Sequence, residues 1–361
     1  MPAMFEPITI NGMTIPNRFV RSATNDRLAE VSGRVTDGLI TAYEKLAAGG
    51  VGMIVTGHAF IQWNGKASVT MLGAHEDDLV PDLKRLVDTV HKYDSKIVMQ
   101  INHAGRQTSS SVLGETTVAP SAVHSPLSNE TPRALTGEEI QELIEAYVAA
   151  ARRAVASGFD GVQLHGAHGY LISQFISPYT NRREDEWGGS LENRMRFPLE
   201  VLRRVRQEVG EGYPVLIKLN SEDYLDGGLT IEEGARIARE LSRSGIDAIE
   251  ISGGMGESAA SIMKPDIADE EDEAYFLPNA RTFRKVIDVP LILVGGLRTP
   301  RLIEKLIADG EADMISMCRP FIREPDLVSR WENGDERKAD CVSCNGCQKY
   351  REEPVRCILL D

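Results

Sequence analysis

The sequence predicts an α/β protein folded as a single (β/α)8 TIM barrel, and three observations carry that expectation. Eight short apolar runs are spread along the 361 residues. The stretches between them show helical patterning, several with helix-start signals. The runs are nearly continuous in apolar residues rather than alternating, as strands of a parallel sheet covered on both faces must be. Eight strand–helix repeats close into a barrel, with a doubly wound open sheet as the weaker alternative.

The runs are RFVRSA from Arg18, VGMIVT from Val51, KIVMQI from Lys96, GVQLH from Gly161, VLIKL from Val215, DAIEIS from Asp247, LILVG from Leu291 and DMISM from Asp313. Thr136 with Glu139 precedes QELIEAYVAAARRAV, and Thr230 with Glu233 precedes GARIARELS, both as capping boxes. Thr299 followed by Pro300 marks a third helix start, because a proline at the first helical position loses no hydrogen bond. Residues 107–133, rich in Ser, Thr and Pro, are too many for a passive connection and predict a lid-like insertion after strand three. DEEDEA from Asp269 reads as a solvated acidic loop. Residues 1–336 are assigned to the barrel and 337–361 to a Cys-rich C-terminal tail.

Composition sets the outer limits. With 42% hydrophobic and 26% charged residues the chain can bury a large core. A net charge of -14 argues against nucleic acid or an anionic membrane surface as partner. No apolar run approaches the ~20 residues that span a bilayer, and MPAMFEPITINGM lacks the regions of a signal peptide, so a cytoplasmic location is expected. The expected assembly is a homo-oligomer acting on small molecules.

In such a barrel the site forms where strands end. The first run ends at Ser22, Ala23, Thr24 and Asn25, the second at Thr56, Gly57 and His58, the third at Gln100, Asn102 and His103. The fourth delivers His165, His168 and Tyr170, the fifth Lys218 and Asn220, the sixth Ser252, Gly253 and Gly254. Gly295 and Gly296 close the seventh, Cys318 and Arg319 the eighth. Eight polar or glycine-rich ends suit a large, polyfunctional ligand. The glycines with Arg319 resemble a phosphate cradle, although a tight turn beside a surface charge would look the same. Lys218 and Gln100 stand inside apolar strands, where an ammonium or an amide is costly without a partner. His165 and His168 could ligate zinc, but the strand ends lack the carboxylates a hydrolytic barrel would use.

Four segments together carry a family resemblance: PNRFVRSAT at 16–24, QINHAGR at 100–106, HGAHGYLISQFISPYTNRREDEWGGSLENRMRF at 165–197, and the late VGG with CRPFIREP. From about Phe5 to Trp331 the chain resembles the old yellow enzyme family of FMN-dependent NAD(P)H:flavin oxidoreductases and ene-reductases. The resemblance implies FMN contacts from Ala23, Thr24, Gly57, Gln100, Gly295 and Cys318, Lys218 beside the N1/C2 edge, and Gly296 with Arg319 on the phosphate. It also implies that NAD(P)H reduces FMN and that an α,β-unsaturated carbonyl substrate, an enone or enal, then takes the hydride. His165 and His168 would bond the substrate's carbonyl oxygen, Tyr170 would act as proton donor, and Asn25 would line the substrate pocket. Relatives usually have arginine at Lys218, and they place a cysteine, threonine or aromatic residue where Asn25, Asp26 and Arg27 stand. His58 falls where small residues are common; it extends the hydrogen-bonding set or packs. The segment NRREDEWGGSLENR is expected to be a structural turn with internal ion pairs.

The tail reads C-x2-C-x2-C-x9-C through Cys341, Cys344, Cys347 and Cys357. It resembles the iron–sulfur loop of the trimethylamine dehydrogenase and 2,4-dienoyl-CoA reductase branch, where further domains follow; here the chain stops at Asp361 and the last spacing is shorter. A [4Fe–4S] cluster, a structural zinc, or ligands whose centre has been lost all remain open, with a metal centre favoured and iron–sulfur ahead of zinc. A cluster would open a competing reading, an electron-transfer module or amine dehydrogenase-like protein serving a partner. No cysteine lies near the N-terminal strand ends, so a covalent flavin link is not expected.

Overall fold

In the computed structural model, which describes residues 2–349 and 353–360, all eight runs form strands. They are β1 (Phe19–Arg21), β2 (Met53–Val55), β3 (Lys96–Asn102), β4 (Gly161–Gly166), β5 (Val215–Asn220), β6 (Ala248–Ser252), β7 (Leu291–Leu293) and β8 (Met314–Met317). Each pairs in parallel with the next, and β8 pairs with β1, so the barrel is closed. The intervening helices are α1 (Asp37–Ala48), α2 (Val80–Val90), α3 (Gly137–Ser157), α4 (Leu191–Val209), α5 (Ile231–Arg243), α6 (Leu277–Arg284), α7 (Pro300–Ala308) and α8 (Leu327–Glu332). Among the described residues no helix is long and apolar enough to cross a membrane.

Inward-facing residues divide the barrel lumen in two. Val20, Met53, Val98, Leu216, Ala248, Ile292 and Met314 fill its amino-terminal half. An antiparallel hairpin, Ile8–Ile10 with Met13–Ile15, closes that end with Ile10, Met13 and Ile15. The carboxyl half is polar, and it is there that the site lies. The outer face of the strands packs on the helices in a second, larger apolar cluster.

All three helix starts form where the sequence predicts, but of the two expected capping boxes only that at Thr136 is complete. Thr136 Oγ1 accepts from Glu139 N at 3.2 Å while Glu139 Oε2 accepts from Thr136 N at 2.8 Å, and Thr230 Oγ1 accepts from Glu233 N at 3.3 Å. At the third, Pro300 opens α7 as expected, while the Thr299 hydroxyl makes no cap. It donates to Glu273 Oε1 at 2.8 Å, while Glu273 Oε2 accepts from the N–H groups of Arg298 and Thr299 at 2.7 and 3.0 Å. Glu273 therefore corrects the reading of DEEDEA as wholly solvated. It is 6% exposed, drawn inward because a carboxylate satisfies the unpaired N–H groups leading into α7 better than a hydroxyl does.

The insertion after β3 carries a short helix, Ser110–Leu113, and a strand, Val118–Ala119, that pairs in parallel with Arg133–Ala134. Buried Arg106 ties it down, donating to the carbonyls of Val123 and His124 at 3.3 and 2.8 Å and pairing with Glu257 beyond β6. The turn after β4 holds the expected internal pair, Arg183 with Asp185, and Asn181 Nδ2 donates to the carbonyls of Phe175 and Trp187, both at 2.8 Å. The tail folds back over the carboxyl mouth. Ala339 N donates to Arg298 O at 2.9 Å, Asp266 N to Ser343 O at 3.0 Å, and Val355 N to Asp26 O at 3.0 Å.

Candidate active site

Above the apolar plug, one carboxylate organises the lumen. Glu250, inward-facing on β6 and 0% exposed, accepts from Ser22 Oγ at 2.8 Å, Ser316 Oγ at 2.7 Å and Lys218 Nζ at 2.9 Å through Oε1. Its Oε2 accepts from Gln163 Nε2 at 3.0 Å, and Gln163 Oε1 accepts from Gln100 Nε2 at 2.7 Å. Six strands are joined through this layer. Burial pushes the Glu250 carboxyl up, but Lys218 and the two serines outweigh it and hold the group below its ordinary value. Lys218 also donates to Ser22 Oγ at 2.7 Å. The partner that a buried ammonium demanded is thus within the chain, and Gln100 likewise finds Gln163. Glu250, Gln163 and Ser316 were not singled out from sequence. Their signal was present: polar residues at inward positions of the otherwise apolar AIEIS, GVQLH and MISM.

The next layer is imidazole. The ring of His165 lies 4.7 Å from that of Tyr170 and 5.4 Å from that of His168, so the three predicted residues do converge. His58 joins them, 4.9 Å from Tyr170 and 5.7 Å from His165. His168 stands in the left-handed region at φ 63°, followed by Gly169 at φ 80°. Its N–H donates to Asn220 Oδ1 at 3.1 Å, and its Nε2 shares a 2.7 Å hydrogen bond with Ser252 Oγ. Asn220 is fixed in turn, donating to Asp223 Oδ1 at 3.1 Å and Gly254 O at 2.8 Å. Tyr170 precedes the helix Leu171–Ile176, whose six residues are all buried and anchor it. Asn102 Nδ2 lies 2.8 Å from His58 Nδ1, and this bond orients the ring.

Burial lowers His58 to about 4. It also drives His165 and His168 well below their ordinary value, with Lys218 and the neighbouring imidazoles adding to the effect. Tyr170 is pushed up to about 12 by burial. Near neutral pH the mouth therefore holds uncharged imidazoles and a protonated phenol. Among the described residues the buried His165 Nδ1 has no partner, which leaves it to a ligand.

A cavity of about 290 Å³ opens beside this cluster. Ala23, Thr24, Asn25, His168, Lys218 and Ser252 line one side; Gly296, Cys318 and Arg319 line the other, with Ser343 and Gln348 of the tail. Gly296 lies at φ 75°, and a Cβ there would meet Ile267 Cδ1 at 2.2 Å. Gly57, Gln100 and Gly295 do not line it, and of the group His165, His168 and Tyr170 only His168 does. The Gly57 N–H donates to Tyr43 Oη at 2.7 Å, and a Cβ would come within 2.5 Å of Thr24 O, so this glycine lets β1 and β2 converge. Thr24 Oγ1 lies 3.0 Å from Cys318 Sγ. Asn25 Nδ2 donates to Ser68 Oγ at 3.0 Å. Its neighbours do not line the cavity: Asp26 accepts from Arg21 at 3.2 Å and Tyr43 at 3.0 Å, and Arg27 donates to Gln348 of the cavity wall at 3.3 Å. Arg319 Nη1 donates to Lys264 O, Ser343 O and Asn345 Oδ1 at 2.8, 3.2 and 2.6 Å. The donors present, an ammonium, a guanidinium and a glycine main chain around a cavity, fit FMN.

Cys341, Cys344, Cys347 and Cys357 line one small pocket whose wall includes Arg319. All four are free thiols, and among the described residues no three His, Cys, Asp or Glu side chains are grouped to hold a metal ion. The predicted metal centre thus has its ligand types together without the closed geometry. Without a metal, burial raises the Cys341 thiol and lifts Cys347 to about 11, and a bound metal would have to displace those protons.

Neutral donors gathered at the carboxyl mouth of a closed barrel, above a buried ion pair, are the arrangement of a (β/α)8 enzyme. The model of the NADH:flavin oxidoreductase / NADH oxidase family matches residues 3–338, and the chain belongs to that family. It is 40% identical over 365 residues to an NADH oxidase of Thermoanaerobacter brockii, covering 99% of this chain and 56% of that one. An NADPH dehydrogenase of Clostridium acetobutylicum is 36% identical, with 90% of this chain and 93% of that one covered. Among solved structures, a 2-naphthoyl-CoA reductase in complex with 2-naphthoyl-CoA superposes with a TM-score of 0.93 at 33% identity, covering 98% of this chain and 56% of that one. The chain spans about half the length of the first and last of these relatives.

Proposed function

We propose that the chain binds FMN non-covalently at the barrel mouth and uses NAD(P)H to reduce the C=C bond of α,β-unsaturated carbonyl compounds. The observation that carries this reading is the convergence of His165, His168 and Tyr170, all neutral, with His168 lining the same cavity as Lys218. Lys218, Gly296, Arg319, Ala23, Thr24 and Cys318 would hold the cofactor, with Gly57, Gln100 and Gly295 supporting them from behind. When bound, FMN supplies a hydride, replenished from NAD(P)H. His165 and His168 present N–H groups to the carbonyl oxygen, where negative charge develops as the β-carbon is attacked. Tyr170, protonated throughout the neutral range, gives its proton to the α-carbon. Asn25, pinned to Ser68, borders the substrate.

Protein purified anaerobically and incubated with FMN should turn yellow, and 2-cyclohexenone should then accelerate its oxidation of NADH or NADPH. A chain that stays colourless, or whose NAD(P)H consumption ignores the enone, defeats the proposal.

A second reading is favoured by the tail, whose four cysteines share a pocket with Arg319, a residue that also lines the main cavity. On this reading the cysteines bind a metal centre, iron–sulfur ahead of zinc, and the chain passes electrons to a partner protein. Iron, sulfide and zinc analysis after anaerobic reconstitution tests the metal. Full enone turnover by the isolated chain argues against dependence on a partner.

A further inference from the structure

The buried ion pair beneath the cavity has a consequence for whatever redox group occupies it. Glu250 accepts four hydrogen bonds, from Ser22, Ser316, Lys218 and Gln163 at 2.7 to 3.0 Å. An ionised carboxylate has about four acceptor sites. Three of the bonds fall on Oε1 and one on Oε2, so the group is held at both oxygens and fixed beside Lys218. The ammonium has three N–H groups. Two are taken by Ser22 and Glu250, at 2.7 and 2.9 Å, and Lys218 itself borders the cavity, so the third is the one left to a ligand.

We propose that Glu250 is a positioning residue that sets the reduction potential of the bound flavin through Lys218. The inference rests on the FMN reading given above. A cation beside the flavin's pyrimidine edge stabilises the negative charge gained on two-electron reduction and raises the potential. Here a fixed carboxylate 2.9 Å away cancels most of that charge as felt from above, while leaving the N–H in place. Lys218 thus offers direction without net charge, and the flavin is harder to reduce than it would be over an unpaired cation.

The test is a spectroelectrochemical titration of FMN-loaded protein across pH 6 to 9. Glu250→Gln keeps the shape and removes the charge. It should shift the flavin's oxidised/reduced equilibrium toward the reduced form by tenfold or more, about 30 mV for a two-electron couple. If the unpaired lysine sheds its proton over oxidised flavin and regains it on reduction, the shift appears instead as a steeper fall of the midpoint with pH. Should Glu250→Gln not fold, the Lys218→Gln/Glu250→Gln double variant removes both charges and retains amide donors. Its midpoint should stay within threefold of the wild-type equilibrium. A yellow Glu250→Gln with unchanged or lower midpoint and unchanged pH slope overturns the inference, as does a tenfold or larger fall in the double variant. A wild-type chain that takes up no FMN overturns the functional reading itself, and this inference with it.

Discussion

His165 and His168 lie beside one another in uncharged form, and an N–H donor aimed at a developing oxyanion is worth on the order of 3 kcal/mol. Replacing either by alanine should therefore lower kcat for an enone by roughly a hundredfold. Tyr170→Phe should cost roughly 100- to 10,000-fold in the protonation half of the reaction, read as slowed oxidation of pre-reduced enzyme by substrate. With the phenol at about 12 and both imidazoles far below neutrality, the wild-type rate should be flat from about pH 6 to 9. Histidine also links pH to stability. His103 is buried and lowered to about 3, accepting from Gly105 N at Nδ1 and facing Asn64 Oδ1 through Nε2, both at 3.0 Å. Between its folded value and the unfolded value near 6.5 the unfolded chain binds more protons, so stability falls as pH drops through that window. Urea midpoints should decline from pH 7 to 4, and His103→Gln should decline less steeply.

Close approaches made by glycine are decisive among the elements. Gly234 in α5 packs on the loop after β5, and a Cβ there would sit 2.1 Å from Ser221 O. Gly234→Ala should destabilise by about 1–3 kcal/mol, measured by chemical denaturation, because the helix must move off the barrel. Thr136→Ala, which removes one bond of the α3 capping box, should cost only about 1 kcal/mol. The helix starts at Thr136 and Thr230 were legible because both partners lie within four residues of each other. The start at Pro300 was legible too, but not its cap, because the carboxylate that satisfies the N–H groups there, Glu273, comes from a distant loop.

Across the whole molecule, the tail belongs to the site although it follows the barrel repeat. Ser343 and Gln348 line the cavity, and the tail supplies two of the three acceptors for Arg319 Nη1. Removing residues 337–361 should weaken retention of FMN, seen as a higher Kd by flavin fluorescence quenching, while the far-ultraviolet circular dichroism of the barrel is kept. A truncated chain that holds FMN as tightly as the full one would show that the tail only covers the mouth.

The eight repeats, the polar strand ends and the HGAHGY segment were readable because each is written in a few consecutive residues: apolar runs, caps, and motifs whose chemistry their own side chains supply. Tertiary structure alone decided that Lys218 pairs with Glu250, that Gln100 pairs with Gln163, that His58 joins the imidazole cluster, and that the tail lies across the mouth. These are contacts between residues tens to hundreds of positions apart. They depend on strand register and on barrel closure, which bring inward-facing side chains from six strands into one layer, and no local pattern encodes that meeting.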